Sequence, residues 1–437
     1  MVDPGVSCHN YRWRRMYFSY FYPVGLDIKR HQPARLSYLF IGVMLLVFAW
    51  QRWLPNLLPV HPWDLIFYVG NGQPWTALST LFLHASWLHL LGNLVYLWAF
   101  MPGLEERVGK VALFMLFMIT GLSGNLAHGL AAWQGFLGQG GLGILGASGA
   151  ISGLLGFSLI RVPYARVAVA YWIFAPTMGQ NRAGRAHVAL PLVVLLWLAL
   201  QVVNAMLASE TGSQVSYPAH LGGFAMGLVL ALALGGWRDG RIEGRLATAR
   251  RYLNKGEGWA AAGSYTEYLD DQPGDLEVRI ELARAQAMTG ELKQAESSYR
   301  DAYRAAVADG RWDLALEVVA EGRRCQAGLS LSVDELALAA HHADKIGNRD
   351  LAAKLLMDLV ARNTPHPAKD RAWVRLVMLL HADDDRAEEA ALWLEKARQD
   401  LRPGAWREYL DKEFSRGSAP REGAESDPAV THVGPES

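Results

Sequence analysis

Cysteine and, over long stretches, charge are what this 437-residue sequence lacks. Its two cysteines, Cys8 and Cys325, are too few for a disulfide framework and supply no thiolate cluster, so both are expected as reduced thiols. No metal and no cofactor is expected. Asp, Glu, Lys and Arg are absent from residues 65–104, 111–160 and 188–209. A helix needs about 20 apolar residues to cross a bilayer, so these runs exclude a single soluble globule and predict a polytopic membrane half. Charge returns densely only after Trp237, which predicts a soluble half behind it. The start holds basic residues but lacks a short apolar core followed by a small-residue cleavage site. No removable signal peptide is therefore expected, and the first span would be its own targeting signal. The formal net charge of zero averages two unlike regions and says little about partners.

Six candidate spans are present, at 36–54, 86–104, 110–132, 146–160, 188–208 and 217–237. Basic residues fall on alternate loops. Arg12, Arg14, Arg15, Lys29, Arg30 and Arg35 precede the first span, and Arg107 and Lys110 follow the second. Arg161, Arg166, Arg182 and Arg185 follow the fourth, and Arg238, Arg241 and Arg245 follow the sixth. The other loops carry only Asp64 and Glu210, so the positive-inside rule places both chain ends in the cytoplasm. The fourth span has only about 15 residues, or ~22 Å at helical rise, against a hydrocarbon core of ~30 Å. Its outer end, after the glycine-rich GQGGLGILG, is expected to stop inside the bilayer. Irregular backbone at that depth is tolerated only when buried in protein or beside water. A hydrated hollow opening outward, with Ser148 at its floor, follows.

Polar residues capable of chemistry gather near the outer ends of three spans: His84, His89 and Asn93 at the second, Ser148 at the fourth, and His220 at the sixth. Intramembrane ionisable groups are costly and are functional candidates by default. Ser148 lies in GASGAISG between Gly146 and Gly149, where a helix begins, and backbone N–H groups at a helix start can stabilise an oxyanion. The alternative is that Gly149, Gly153 and Gly156 only allow close helix packing. His220, in YPAHLGGFAMG, has Gly223 and Gly227 at i+3 and i+7 on its own face. A helix bearing them could press against the fourth span closely enough for the imidazole to act as the base that a serine alcohol requires. The alternative there is a plain helix-to-helix hydrogen bond. His89 and Asn93 form an i, i+4 pair able to donate to an oxyanion. A metal site is disfavoured: on one helix His84 and His89 would point about 140° apart, with no acidic third ligand in the spans. His84 is expected to be structural.

The ordered set HASWLHLLGN, GASGAISG and AHLGGFAMG, in a frame of six spans, resembles the rhomboid family of intramembrane serine proteases. LEERVG after the second span, with Glu105 and Gly109, and the uncharged first loop with Pro74 and Trp75 agree with it. The resemblance covers residues 36–237. It implies Ser148 as nucleophile and His220 as general base and acid. It also implies His89, Asn93 and Gly146, with the Ser148 backbone N–H, as oxyanion support, and Gly149, Gly223 and Gly227 as packing residues. Transmembrane proteins are the implied substrates, unwound locally before cleavage, and a bacterial inner membrane is the implied setting. One departure is Ser152, where some relatives place a tyrosine beneath the histidine ring, so the support of His220 is left unassigned.

Beyond the spans one spacing recurs. Gly256, Ala261 and Tyr265 are matched 34 residues later by Gly290, Ala295 and Tyr299, and Tyr268 by Ala302. Weaker copies follow at Gly310, Ala315 and Val319, at Gly347, Ala352, Leu356 and Leu359, and at Asp385, Ala390, Leu394 and Ala397. The pattern resembles the tetratricopeptide repeat, in which a glycine turn joins two helices and an alanine lets them pack. The expected fold class is all-α: a six-helix transmembrane bundle followed by a soluble helical-repeat domain. The expected domains are a cytoplasmic segment 1–35, a membrane protease domain 36–237, linker and repeats 238–415, and a disordered Ser/Gly/Pro/Glu-rich tail 416–437. Expected partners are substrate helices, the lipid bilayer and a cytoplasmic protein on the repeats. Arg238, Arg241, Arg245, Arg250 and Arg251 suit anionic headgroups rather than nucleic acid. The rival readings are a non-catalytic relative that binds membrane clients, and a membrane-anchored repeat scaffold.

Overall fold

The computed structural model describes residues 18–70, 73–136, 143–175, 180–211 and 215–415. Cys8, the early arginines, part of the glycine-rich run and the 416–437 tail lie outside them. The chain divides into two compact units, Met1–Thr248 and Ala249–Ser437, a boundary later than residue 237 because the helix after the last span belongs largely to the first unit.

In the first unit, helices occupy all six expected places. In chain order the elements are β1 (Phe18–Leu26), α1 (Arg35–Trp53), β2 (Phe67–Tyr68), α2 (Thr76–Ser79), α3 (Trp87–Val108) and α4 (Lys110–Trp133). Then come β3 (Gly143–Ile144), α5 (Ser148–Arg161), β4 (Arg166–Ala175), β5 (Gln180–Ala189), α6 (Leu190–Thr211), α7 (Tyr217–Ala233) and α8 (Gly236–Asn254). Among the described residues α1, α4 and α6 are long and apolar enough to cross a bilayer alone. The 76–82 helical turns and α3 form a pair bent by 89°, and α7 and α8 one bent by 78°. The last span thus ends at Ala233, where a turn with Gly235 at φ +73° redirects the chain.

Helix α5 has 14 residues, about 21 Å at 1.5 Å per residue. Gly149 through Ser158 are all buried, because α5 lies between α4 and α7 and also meets α3 and α6. Glycine makes this possible. A Cβ on Gly223 would lie 2.0 Å from the Gly149 carbonyl oxygen, one on Gly227 2.0 Å from that of Gly153, and one on Gly156 2.3 Å from that of Phe224. In a membrane such backbone proximity replaces the hydrophobic effect as the packing force.

The all-α expectation holds for the bulk of the chain, but a three-stranded antiparallel sheet, in the order β1-β4-β5, is added to it. β1 lies in the segment expected as an N-terminal tail and pairs with β4 from Phe18↔Phe174 to Leu26↔Val167, with a bulge at Pro23/Gly25. Proline has no N–H to give, so a bulge is where a strand tolerates it. Below the spans, the Arg161 guanidinium is 2.8 Å from Glu243 and 3.6 Å from Asp239, and Arg107 is 3.2 Å from Glu243. Tyr164 donates its hydroxyl to Glu243 as well. Burial first, then the neighbouring Glu243, pushes the Tyr164 phenol upward. The opening turns of α8 are thereby tied to the ends of α3 and α5.

The second unit is a stack of tetratricopeptide-like helix pairs: α9 (Gly258–Asp271), α10 (Leu276–Met288), α11 (Leu292–Ala308), α12 (Trp312–Arg324), α13 (Val333–Lys345), α14 (Arg349–Val360), α15 (Pro367–His381), α16 (Ala387–Asp400) and α17 (Ala405–Ser415). The recurring glycines Gly256, Gly290, Gly310 and Gly347 all have positive φ, between 69° and 82°, so each ends a helix in the left-handed turn that suits a residue without Cβ. The recurring alanines 261, 295, 315, 352 and 390 are at most 1% exposed, which is why a small side chain stands at the helix crossing. Glu321, 5% exposed, accepts from Arg284 at 2.8 Å and from the Tyr299 hydroxyl at 2.9 Å.

Candidate active site

The approach to α5 is set by the loop before it. The Gly146 N–H donates to the Thr80 carbonyl at 2.9 Å, and the Thr80 hydroxyl donates to the Ile144 carbonyl. Gly146 has φ +115°, and a Cβ there would lie 2.7 Å from His89 Cε1 and Nε2. Glycine is therefore required twice over, by its backbone and by the imidazole against it. Because its N–H is engaged by Thr80, Gly146 makes room for the pocket rather than donating to it. The next residues open α5, with Ala147 as N-cap and Ser148 as first helical residue. The first N–H groups of a helix have no intrahelical acceptor, so those of Ser148 and Gly149 point outward from its start.

His220 arrives from α7. The Ser216 hydroxyl caps that helix by accepting from the Ala219 N–H at 3.3 Å, Pro218 fits its first turn, and His220 follows in the same turn. The glycine contacts between α7 and α5 bring the imidazole to the serine: His220 Nε2 is 2.8 Å from Ser148 Oγ. On the other side of the ring, His220 Nδ1 is 2.8 Å from Gln201 Oε1 of α6. The Trp197 ring lies 6.4 Å away, inclined by 36°, and Tyr217 presents its edge at 6.3 Å and 84°. These two aromatics flank the imidazole where Ser152 supplies no ring. The Ser152 hydroxyl instead donates to the Ser148 carbonyl at 2.7 Å.

Helix α3 brings His89 and Asn93 to the same loop. The Ser86 hydroxyl caps it, accepting from the His89 N–H at 3.2 Å. Asn93, 7% exposed, keeps its amide Nδ2 buried without a hydrogen-bond partner among the described residues. A Cβ on Gly146 would be 3.6 Å from that nitrogen. A buried amide N–H costs free energy when left unpaired, and this one faces Gly146, two residues before Ser148.

His84 departs from the helical-wheel reading, since it precedes α3 outside any helix and meets His89 edge-on with ring centroids 5.2 Å apart. It is 1% exposed, and its N–H donates to Gln51 Oε1 at 3.1 Å, joining the loop to α1. Glu105 accepts from the Leu36 N–H at 3.0 Å, the Ser37 N–H at 2.8 Å and the Ser37 hydroxyl at 2.7 Å, which caps α1. Gly109, at φ +77°, turns α3 into α4. Neither touches the serine.

Several side chains at the site were not singled out from sequence. Gln201 and Trp197 have a faint signal, being the first amide and the only indole in the apolar start of α6. His128 and Asn125 of α4 carried the same signal, polar groups inside an apolar span, without being singled out: His128 Nδ1 is 2.8 Å from the Ser216 hydroxyl, and Asn125 donates to the Ala77 carbonyl at 2.7 Å. These contacts tie α4 to α2 and to the start of α7.

The family described as Rhomboid domain matches residues 71–237. RHOMBOID-like protein 5 of Arabidopsis thaliana is 30% identical over 166 residues, which cover 38% of this chain and 46% of that protein. Rhomboid protease GluP of Bacillus subtilis is 24% identical over 315 residues, covering 72% of this chain and 50% of that protein. The chain thus spans about half the length of these curated relatives. The solved structure of MamA protein aligns with 41% of this chain and 98% of its own length, at 16% identity and a TM-score of 0.18.

Proposed function

We propose, from the match of residues 71–237 to the Rhomboid domain family, that this multi-pass membrane protein is a serine endopeptidase that cleaves transmembrane segments of other proteins. The observation that carries the reading is the 2.8 Å contact between His220 Nε2 and Ser148 Oγ, contributed by different helices. An alcohol is a weak nucleophile until a base takes its proton. His220 takes it as Oγ attacks the scissile carbonyl. The oxyanion accepts hydrogen bonds from Asn93 Nδ2, from a His89 ring N–H and from the N–H groups at the start of α5. His220 then delivers its proton to the leaving amine, and water hydrolyses the acyl-enzyme by the same route in reverse. The buried and unpartnered Asn93 amide supports this division of roles.

In this reading both termini face the cytoplasm of a bacterial inner membrane, and the repeats engage a cytoplasmic protein, as stacked helical repeats commonly do. The test is labelling of the detergent-solubilised chain by a serine-reactive fluorophosphonate, beside Ser148→Ala and His220→Ala. Labelling of the parent alone is expected. Equal labelling of all three would overturn the assignment. Removing the residues after Arg251 tests the second unit separately, with cleavage lost in cells but kept in detergent if the repeats recruit a partner.

A further inference from the structure

We infer that Gln201 is the third member of the hydrolytic constellation, a positioning residue that holds His220 in the one tautomer able to receive the Ser148 proton. The inference rests on the Ser148/His220 reading and adds a residue and a helix to it. An imidazole can accept the serine proton at Nε2 only while its own proton sits on Nδ1. That N–H needs an acceptor, because an unpaired donor inside an apolar bundle is costly. Gln201 Oε1 is such an acceptor at 2.8 Å, while Nε2 remains 2.8 Å from Ser148 Oγ. An amide oxygen does not take up a proton at ordinary pH, so proton traffic is confined to Nε2, and the same bond persists when the ring becomes an imidazolium.

A carboxylate in this place would orient the ring more strongly, but burying a charge within a bilayer is expensive. A neutral amide supplies the direction without the charge. One turn earlier on the same face of α6, Trp197 lies against the imidazole and also against Phe224, with ring centroids 5.8 Å apart, so the face that presents Gln201 is itself held to α7. Nucleophile, base and orienting group therefore come from α5, α7 and α6.

The experiment measures the limiting rate and half-saturation of fluorophosphonate labelling in Gln201→Leu and Gln201→Glu, with thermal melting alongside. Gln201→Leu keeps the bulk and removes the acceptor. Its limiting rate is expected to fall about tenfold, the worth of one hydrogen bond, with half-saturation unchanged and melting lowered only modestly by the unpaired Nδ1–H. Gln201→Glu restores the acceptor oxygen and is expected to recover most of the rate, which a purely structural role for the side chain would not predict. A leucine variant within twofold of the parent, or a glutamate variant as slow as the leucine one, would overturn the role of Gln201 while leaving the dyad intact. Absence of Ser148-dependent labelling in the parent would overturn both.

Discussion

Replacing Gly223 with alanine is the sharpest test of how the site is assembled. The new methyl would lie 2.0 Å from the Gly149 carbonyl oxygen and 2.8 Å from its carbon, both backbone atoms that cannot swing aside. Ordinary contact begins near 3.4 Å, so α7 must retreat from α5 by about 1.4 Å. Overpacking of this kind costs about 1–3 kcal/mol. The functional cost is larger, because His220 lies one turn earlier on the same face. A retreat of that size stretches the 2.8 Å contact with Ser148 to about 4 Å, beyond hydrogen-bond reach. Misplacement by about 1 Å typically costs about 10²-fold in rate. Fluorophosphonate labelling of Gly223→Ala should therefore slow by about two orders of magnitude, while Gly129→Ala, whose Cβ would meet nothing within 4 Å, should label as the parent does. Parental labelling and melting in Gly223→Ala would refute the claim that glycine contacts between α5 and α7 set the serine–histidine distance.

Asn93→Ala should slow labelling by about 10²-fold with little change in melting, since its Nδ2 has no hydrogen-bond partner among the described residues to lose; a loss of stability in place of rate would count against an oxyanion role. Glu105→Ala should do the opposite, lowering stability by about 2–3 kcal/mol as three donors at the start of α1 lose their acceptor, measured as a lower melting temperature with the labelling rate per folded molecule preserved. In the second unit, burial raises the Glu321 carboxyl, but the Arg284 and Tyr299 hydrogen bonds outweigh it and hold the group below the usual carboxylate range. A folded-state value beneath the unfolded one means the stabilisation is present above the ordinary carboxylate value and fades as pH falls below it. Glu321→Gln should therefore melt below the parent near neutral pH, by about 1–3 kcal/mol of stability, and the gap should close in acid; a gap independent of pH would refute the ion-pair account.

Much of the architecture was legible because each level of the sequence carried its own period. Charge-free runs marked the spans, and the 34-residue spacing marked the helix pairs. The residues that the fold gathers around Ser148 could be picked out because polar groups inside apolar spans are rare enough to be conspicuous. What escaped notice depends on contacts distant in sequence. β1 and β4 are apolar and aromatic, so beside true spans they merged into the background, and only their mutual register makes them strands. His84 was assigned to a helix that starts after it. The engagement of the Gly146 N–H by Thr80 joins residues far apart in sequence, which no local motif encodes. Gln201 was one amide in an apolar helix until α7 placed an imidazole against it.

The strand register has a practical consequence for anyone trimming the chain. A truncated version beginning at Arg35 would keep every span and the whole reactive cluster, yet it would strip β1 from β4. β4 would then become an open border, with a row of amides and carbonyls free to recruit a strand from another molecule. Preparations of the shortened protein should self-associate through that border. Retaining residues from Phe18 onward, or placing a lysine or proline on the outward edge of β4, should keep them dispersed.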